Sequence, residues 1–257
     1  MKRHRWILIW AGACLFSTVA TGGAPLWCAP PASGKLLYMT LSKGFRHDSV
    51  KPSEQILTEM GKKSGAFQVT VTQDVGAFTR ANLKNYQAVM FYTTGELPFT
   101  EEEKAALVDF LKSGHGFVGV HSATDTLYDW PVYLQIVGAY FEGHPWHQMV
   151  TVDVVDPKSP LVGFLGKSFE INDEIYQLRD FQAGTSQVLL KLDTESVNMH
   201  ARGVTQRSYG WPLAWTRGFG EGRVFYTALG HEEATWKDPR FQEMLTKAIK
   251  WAMREGD

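Results

Sequence analysis

Phe117-Val118-Gly119-Val120-His121-Ser122-Ala123 decides the fold: an apolar run too short for a helix, ending in a polar turn. Gly114–Gly116 ahead of it stops a helix announced by Thr100 and Glu103, a capping-box pair in front of Ala105, Ala106, Leu107, Phe110 and Leu111. The run therefore reads as a buried strand entered from a helix, which is the repeating unit of a parallel sheet. Towards the N-terminus the same alternation gives strands at Lys35–Ser42, Phe67–Gln73 and Ala88–Tyr92. Between them stand a helix at Pro52–Lys63, with Ile56, Leu57 and Met60 inward, and a helical turn near Thr79–Lys84. Towards the C-terminus a helix at Pro131–Ala139 is followed by strands at Met149–Val155, Phe169–Tyr176 and Val188–Leu192. A hairpin then pairs Leu213–Thr216 with Arg223–Ala228 across Phe219–Gly222, and a helix from Pro239 to Met253 closes the chain. The expected class is α/β, a mostly parallel sheet with helices on both faces plus a β-rich C-terminal portion.

The first twenty residues belong to a different category. Lys2, Arg3 and Arg5 precede an uncharged, largely apolar stretch, Trp6–Ala20, with Thr18 and Ala20 as small residues before a cut after Ala20. Such a stretch spans only about 22 Å as a helix against roughly 30 Å of hydrocarbon, so a signal peptide is expected rather than a stable membrane anchor. Residues 21–34 read as an unfolded lead-in, residues 35–257 as one domain, and the location as exported, periplasmic or extracellular. The two cysteines, Cys14 and Cys28, both precede that domain, which rules out a disulfide framework within it. A formal charge of −1 argues against nucleic acid as partner and favours a neutral small molecule such as a carbohydrate. The sequence leaves the oligomeric state open.

Ligands of open α/β sheets bind at the carboxyl ends of the strands, which singles out His47, His121 and His231. The Gly-Val-His-Ser-Ala turn resembles a nucleophile elbow, with His121 in the raised position and Ser122 beside it. Imidazole there suits proton transfer or metal ligation. Phe141-Glu142-Gly143-His144-Pro145-Trp146-His147 gathers a carboxylate and two imidazoles in what reads as a loop ahead of a strand. In Asn172-Asp173-Glu174-Ile175-Tyr176 the two acids point to opposite faces of a strand, with Glu174 expected at the site and Asp173 in solvent. Trp211, Trp215 and Trp236 offer either a stacking wall for a sugar or ordinary packing. The candidate catalytic set is His47, His121, Glu174 and His231. The candidate substrate contacts are Arg46, Ser122, Glu142, His144 and Trp215. His47, His121 and His231 are the candidate ligands should a divalent metal, zinc or manganese, be the cofactor.

Taken in order, Gly44-Phe45-Arg46-His47-Asp48, Gly119-Val120-His121-Ser122-Ala123, Phe141-Glu142-Gly143-His144, Asp173-Glu174-Ile175-Tyr176 and Pro212-Leu213-Ala214-Trp215 through Gly230-His231 resemble the ThuA-like, trehalose-utilisation family over Lys35–Arg254. The resemblance implies a class I glutamine amidotransferase-like, flavodoxin-type fold and a link to sugar metabolism. It does not imply glutamine hydrolysis, because His121 stands where that chemistry needs cysteine. The function expected is acid/base or metal-assisted chemistry on an oxidised (keto) sugar or glycoside, and the alternative is a carbohydrate-binding protein without turnover.

Overall fold

In the computed structural model, which describes residues 33–255, the deciding run is a central strand flanked by parallel neighbours on both sides. The elements in chain order are β1 (Gly34–Met39), α1 (Val50–Ser64), β2 (Phe67–Thr72), α2 (Arg80–Leu83), β3 (Ala88–Phe91), α3 (Glu101–Lys112), β4 (Gly116–Val120), α4 (Pro131–Val137), β5 (Tyr140–Val154), β6 (Ser168–Arg179), β7 (Ser186–Leu192), β8 (Pro212–Phe219), β9 (Gly222–Thr227), α5 (Glu233–Lys237) and α6 (Pro239–Ala252). The expected signal peptide and most of the lead-in lie outside the described residues. Among the described residues no helix is long and apolar enough to cross a membrane.

The nine strands of the described residues form one sheet in the order β2-β1-β3-β4-β9-β8-β7-β5-β6. The pairings from β2 to β9 are parallel and those from β9 to β6 antiparallel, so the β-rich C-terminal portion extends the parallel sheet as a wing. Parallel strands need crossovers, and helices supply them after β1, β2 and β3. Helices α1, α5 and α6 touch one another, as do α2 and α3. Being covered on both faces, β3 and β4 are buried at every position, which is why they read as unbroken apolar runs.

Local chemistry sets the boundaries. Thr100 accepts from the Glu103 N–H while the Glu103 carboxylate accepts from the Thr100 N–H, the reciprocal cap expected for α3. The φ of +97° at Gly138 ends α4. Strand β5 starts at Tyr140 rather than Met149, a correction to the loop expected at Phe141–His147. Gly143 and Pro145 look like loop residues, but the ladder with β6 breaks register between Phe141 and Gly143 and again between Gly143 and Trp146. A proline is tolerated in a strand where the ladder needs no N–H from it.

Candidate functional site

His121 follows β4 with φ +46°, a left-handed conformation seldom adopted by residues with a side chain. The surroundings impose it. The Tyr226 hydroxyl donates to the His121 carbonyl at 2.6 Å, the Tyr133 hydroxyl to the Ala123 carbonyl at 2.8 Å, and the Thr126 hydroxyl to the Ser122 carbonyl at 3.0 Å. A methyl at Gly119 would stand 3.0 Å from the Tyr226 ring and 3.2 Å from the Ala123 Cβ, so the tight turn needs glycine there. The imidazole is fully buried, with Nδ1 2.6 Å from the Ala228 carbonyl. A carbonyl only accepts, so Nδ1 carries a proton and Nε2 faces the site.

His47 follows β1 and His231 follows β9, so three histidines arrive from the carboxyl ends of parallel strands. Glu174 comes from within β6, in the antiparallel wing. Its Oε2 lies 3.4 Å from His121 Nε2 and 3.1 Å from His231 Nδ1, and its Oε1 lies 3.2 Å from His144 Nδ1. His231 Nδ1 and His121 Nε2 are 3.3 Å apart. His47 is buried with its Nδ1 unpartnered, its ring edge-on to His121 at 4.8 Å and to His231 at 5.0 Å. His47, His121, Glu174 and His231 each offer a ligand atom, all within 4.8 Å of one another.

The loop carrying His231 is fixed by groups that the sequence did not mark. Asp173 accepts from the Gly230 N–H at 2.7 Å, the Glu232 N–H at 3.1 Å and the Thr235 hydroxyl at 3.0 Å. It is fully buried, which corrects its assignment to solvent. Alternation along β6 does turn it away from Glu174, but the face it turns to is covered by the β9–α5 loop, whose donors satisfy it. The Gly230 carbonyl accepts from the Tyr92 hydroxyl and the Trp236 indole, each at 2.9 Å, and the Ser49 hydroxyl donates to the His231 carbonyl at 2.6 Å. Gly230 itself has φ +122°, and a Cβ there would meet Val120 Cγ1 at 2.9 Å.

These contacts push the ionisable groups apart. Burial, with His121 and His231 alongside, drives His47 down to about 3, so it is a neutral imidazole at neutral pH. Burial alone would raise Glu174, but hydrogen bonds from His121 and His231 outweigh it and hold the carboxyl well below the usual range. Burial opposes protonation of His231, yet the Glu174 carboxylate, with Asp173 and Glu232, raises it above an ordinary histidine. An ionised carboxylate among imidazoles of opposite tendency has the makings of a base paired with an acid.

The other expected contacts divide. His144 is exposed against Glu174, Arg46 is exposed in the loop leading to His47, and Glu142 is exposed, paired with Arg207 and accepting from Gln177 at 3.0 Å. Ser122 is buried and its hydroxyl has no hydrogen-bond partner. Trp215 is fully buried, its indole donating to the Val137 carbonyl at 2.9 Å and stacking on Tyr226, which is incompatible with the expected sugar contact. Trp211 and Trp236 are buried as well, so the three tryptophans pack rather than form an open wall. The exposed aromatic at the site is Phe45, 66% accessible and 4.9 Å from the His47 ring. Its signal in the sequence was an aromatic residue in the first strand–helix loop two positions from a candidate histidine. His147, also half-exposed, lies 2.5 Å from Glu232.

Comparison with known proteins sets this geometry in context. The family model ThuA, described as trehalose utilisation, matches residues 35–252. A ThuA-like protein of Bacteroides uniformis superposes with a TM-score of 0.73 at 23% identity, over 90% of this chain and 95% of that one. A ThuA-like protein of Parabacteroides merdae gives 0.70 at 20%, over 86% and 90%. A β-galactosidase of Rahnella gives 0.52 at 15% identity, over 86% of this chain but 31% of that enzyme, a likeness of fold alone. No curated protein matches.

Proposed function

As a member of the ThuA, trehalose-utilisation, family this chain has a role in carbohydrate metabolism, and we propose that it is an exported enzyme moving a proton beside the carbonyl of an oxidised (keto) sugar or glycoside. The observation that carries the reading is Glu174: a carboxylate held ionised in a nearly closed site, with imidazoles on both oxygens. A ketone acidifies the adjacent C–H, so a carboxylate or histidine base suffices and no covalent nucleophile is needed. The C–H proton passes to Glu174 or His121, and the electron pair moves to the carbonyl oxygen. The enolate oxygen is stabilised by protonated His231; a divalent cation such as zinc or manganese, if held by His47, His121 and His231, would supply Lewis-acid stabilisation there. Return of the proton at the neighbouring carbon gives an isomer, and loss of a β-substituent gives elimination. Phe45 and Arg46 stand exposed beside His47 as substrate contacts for an apolar sugar face and its hydroxyls. Export rests on Lys2, Arg3, Arg5 and the apolar run that follows.

Glutamine hydrolysis is not part of the reading, since imidazole occupies the elbow and residues 35–257 contain no cysteine. Sugar binding without turnover drew its support from three tryptophans that are buried. The test is incubation with 3-keto-glycosides in deuterated water, followed by NMR. Deuterium entry beside the ketone is expected, with the rate falling about 10²–10⁴-fold in Glu174→Gln. No exchange and no conversion of any keto-glycoside would overturn the proposal.

A further inference from the structure

We propose that His47, His121, Glu174 and His231 form a binding site for one divalent metal ion of the zinc class, with the Glu174 carboxylate as a ligand beside the three imidazoles. The inference deepens the keto-sugar reading, because it names the electrophile of the same site and, by engaging His121 Nε2, leaves Glu174 Oε1 as the base; its test needs no sugar.

His121 Nδ1 is turned to the Ala228 carbonyl, which leaves Nε2 to face Glu174 Oε2, 3.4 Å away. Three atoms surround the place where an ion would sit. The separations are 3.4 Å from His121 Nε2 to Glu174 Oε2, 3.1 Å from Glu174 Oε2 to His231 Nδ1, and 3.3 Å from His231 Nδ1 to His121 Nε2. Zinc binds nitrogen and oxygen at about 2.0–2.2 Å, which puts the ligands of a tetrahedral ion roughly 3.3–3.5 Å apart. The triangle has nearly the edge lengths of one face of that tetrahedron. A proton shared by one pair would need no such equality in the other two.

The fourth residue stands close to the other three. His47 is buried with its Nδ1 unpartnered, and its ligand atom lies within 4.8 Å of the other three. The supports of the ligands are those a metal site requires: a carbonyl fixes the tautomer of His121, and Asp173 grips the backbone on both sides of His231. Three imidazoles and one carboxylate select zinc or a similar first-row ion over calcium or magnesium, which take oxygen ligands. A second group, His147, His231 and Glu232, is excluded by its own geometry. His147 Nε2 and Glu232 Oε1 stand 2.5 Å apart, the length of a hydrogen bond and too close for two ligands of one ion.

The full chain, stripped with chelator and exchanged into metal-free buffer, is titrated with zinc chloride by calorimetry, with metal content checked by elemental analysis. One zinc per chain with micromolar or tighter affinity is expected. His121→Ala and Glu174→Gln should each weaken it at least 100-fold while circular dichroism shows them folded, and His147→Ala should leave it unchanged. Should the variants fail to fold, cobalt(II) added to the unaltered chain decides: the intense visible absorption of a four-coordinate ion supports the site, and only the weak absorption of a six-coordinate ion overturns it. No saturable zinc binding, or wild-type affinity in a folded His121→Ala chain, also overturns it. Zinc binding without turnover of any keto-glycoside would remove the proposed reaction and keep the site.

Discussion

The parallel half of the sheet and its antiparallel wing serve one site in different ways. From β1, β4 and β9 the parallel half sends histidines on loops beyond the strand ends. The wing sends Glu174 and His144 from within its strands β6 and β5. A loop residue takes its place from the turn that bears it, whereas a strand residue takes its place from the pose of the whole strand. The wing's contribution is therefore the more sensitive to anything that shifts β6 as a body.

The comparison can be broken at several points. Glu174→Gln should cause the largest change, a fall of about 10²–10⁴-fold in deuterium exchange at unchanged fold, because it removes the wing's one carboxylate in the cluster. A smaller loss than His121→Ala would shift the base to the parallel half. Asp173→Ala should cost about 3 kcal/mol in urea unfolding, since it strands three buried donors at the seam between wing and β9. Asp173→Asn, which keeps an acceptor, should cost less. Trp215→Phe on β8 should cost about 1–2 kcal/mol by leaving the Val137 carbonyl unpaired, with exchange activity intact. Thr100→Ala, in the parallel half and distant from the site, should lose about 1 kcal/mol through the cap of α3 and nothing in turnover.

The smallest effect concerns pH. Burial raises the Glu54 carboxyl, but hydrogen bonds from Lys51, Thr40 and Gln73 outweigh it and hold it below its ordinary value. A depressed carboxyl stabilises the fold above its unfolded pKa, about 4.3, and the contribution disappears as pH falls towards the lower folded value. Glu54→Gln should then be less stable than the parent by under about 1 kcal/mol at neutral pH, the Lys51 partner being largely exposed. The two should converge in unfolding experiments as the pH is lowered below about 4.

The same division explains what was legible in the sequence. His47, His121 and His231 stood out because a strand end is marked by the change from apolar run to polar turn. Glu174 was separated from Asp173 by alternation alone. What alternation does not carry is the identity of the layer over the second face, and for that reason the burial of Asp173 was missed. The tryptophans failed similarly: an indole beside glycine and proline has the same letters whether its N–H meets a sugar or the Val137 carbonyl. Strand β5 was read short because Gly143 and Pro145 disguise a ladder that skips them.

Strand β9 is the last strand in the chain but lies between β4 and β8, and it is the hydrogen-bonded link between the two halves. Its insertion brings together partners formed long before it, such as Val118 with Phe225, and pairings so far apart in sequence close late. His231 and the Ala228 carbonyl that orients His121 both arrive with that strand. A chain halted before residue 228 thus carries His47, His121 and Glu174 with neither the lock nor the third histidine. Completeness of the cluster is tied to the far end of the chain, and copies cut short of it stay inert.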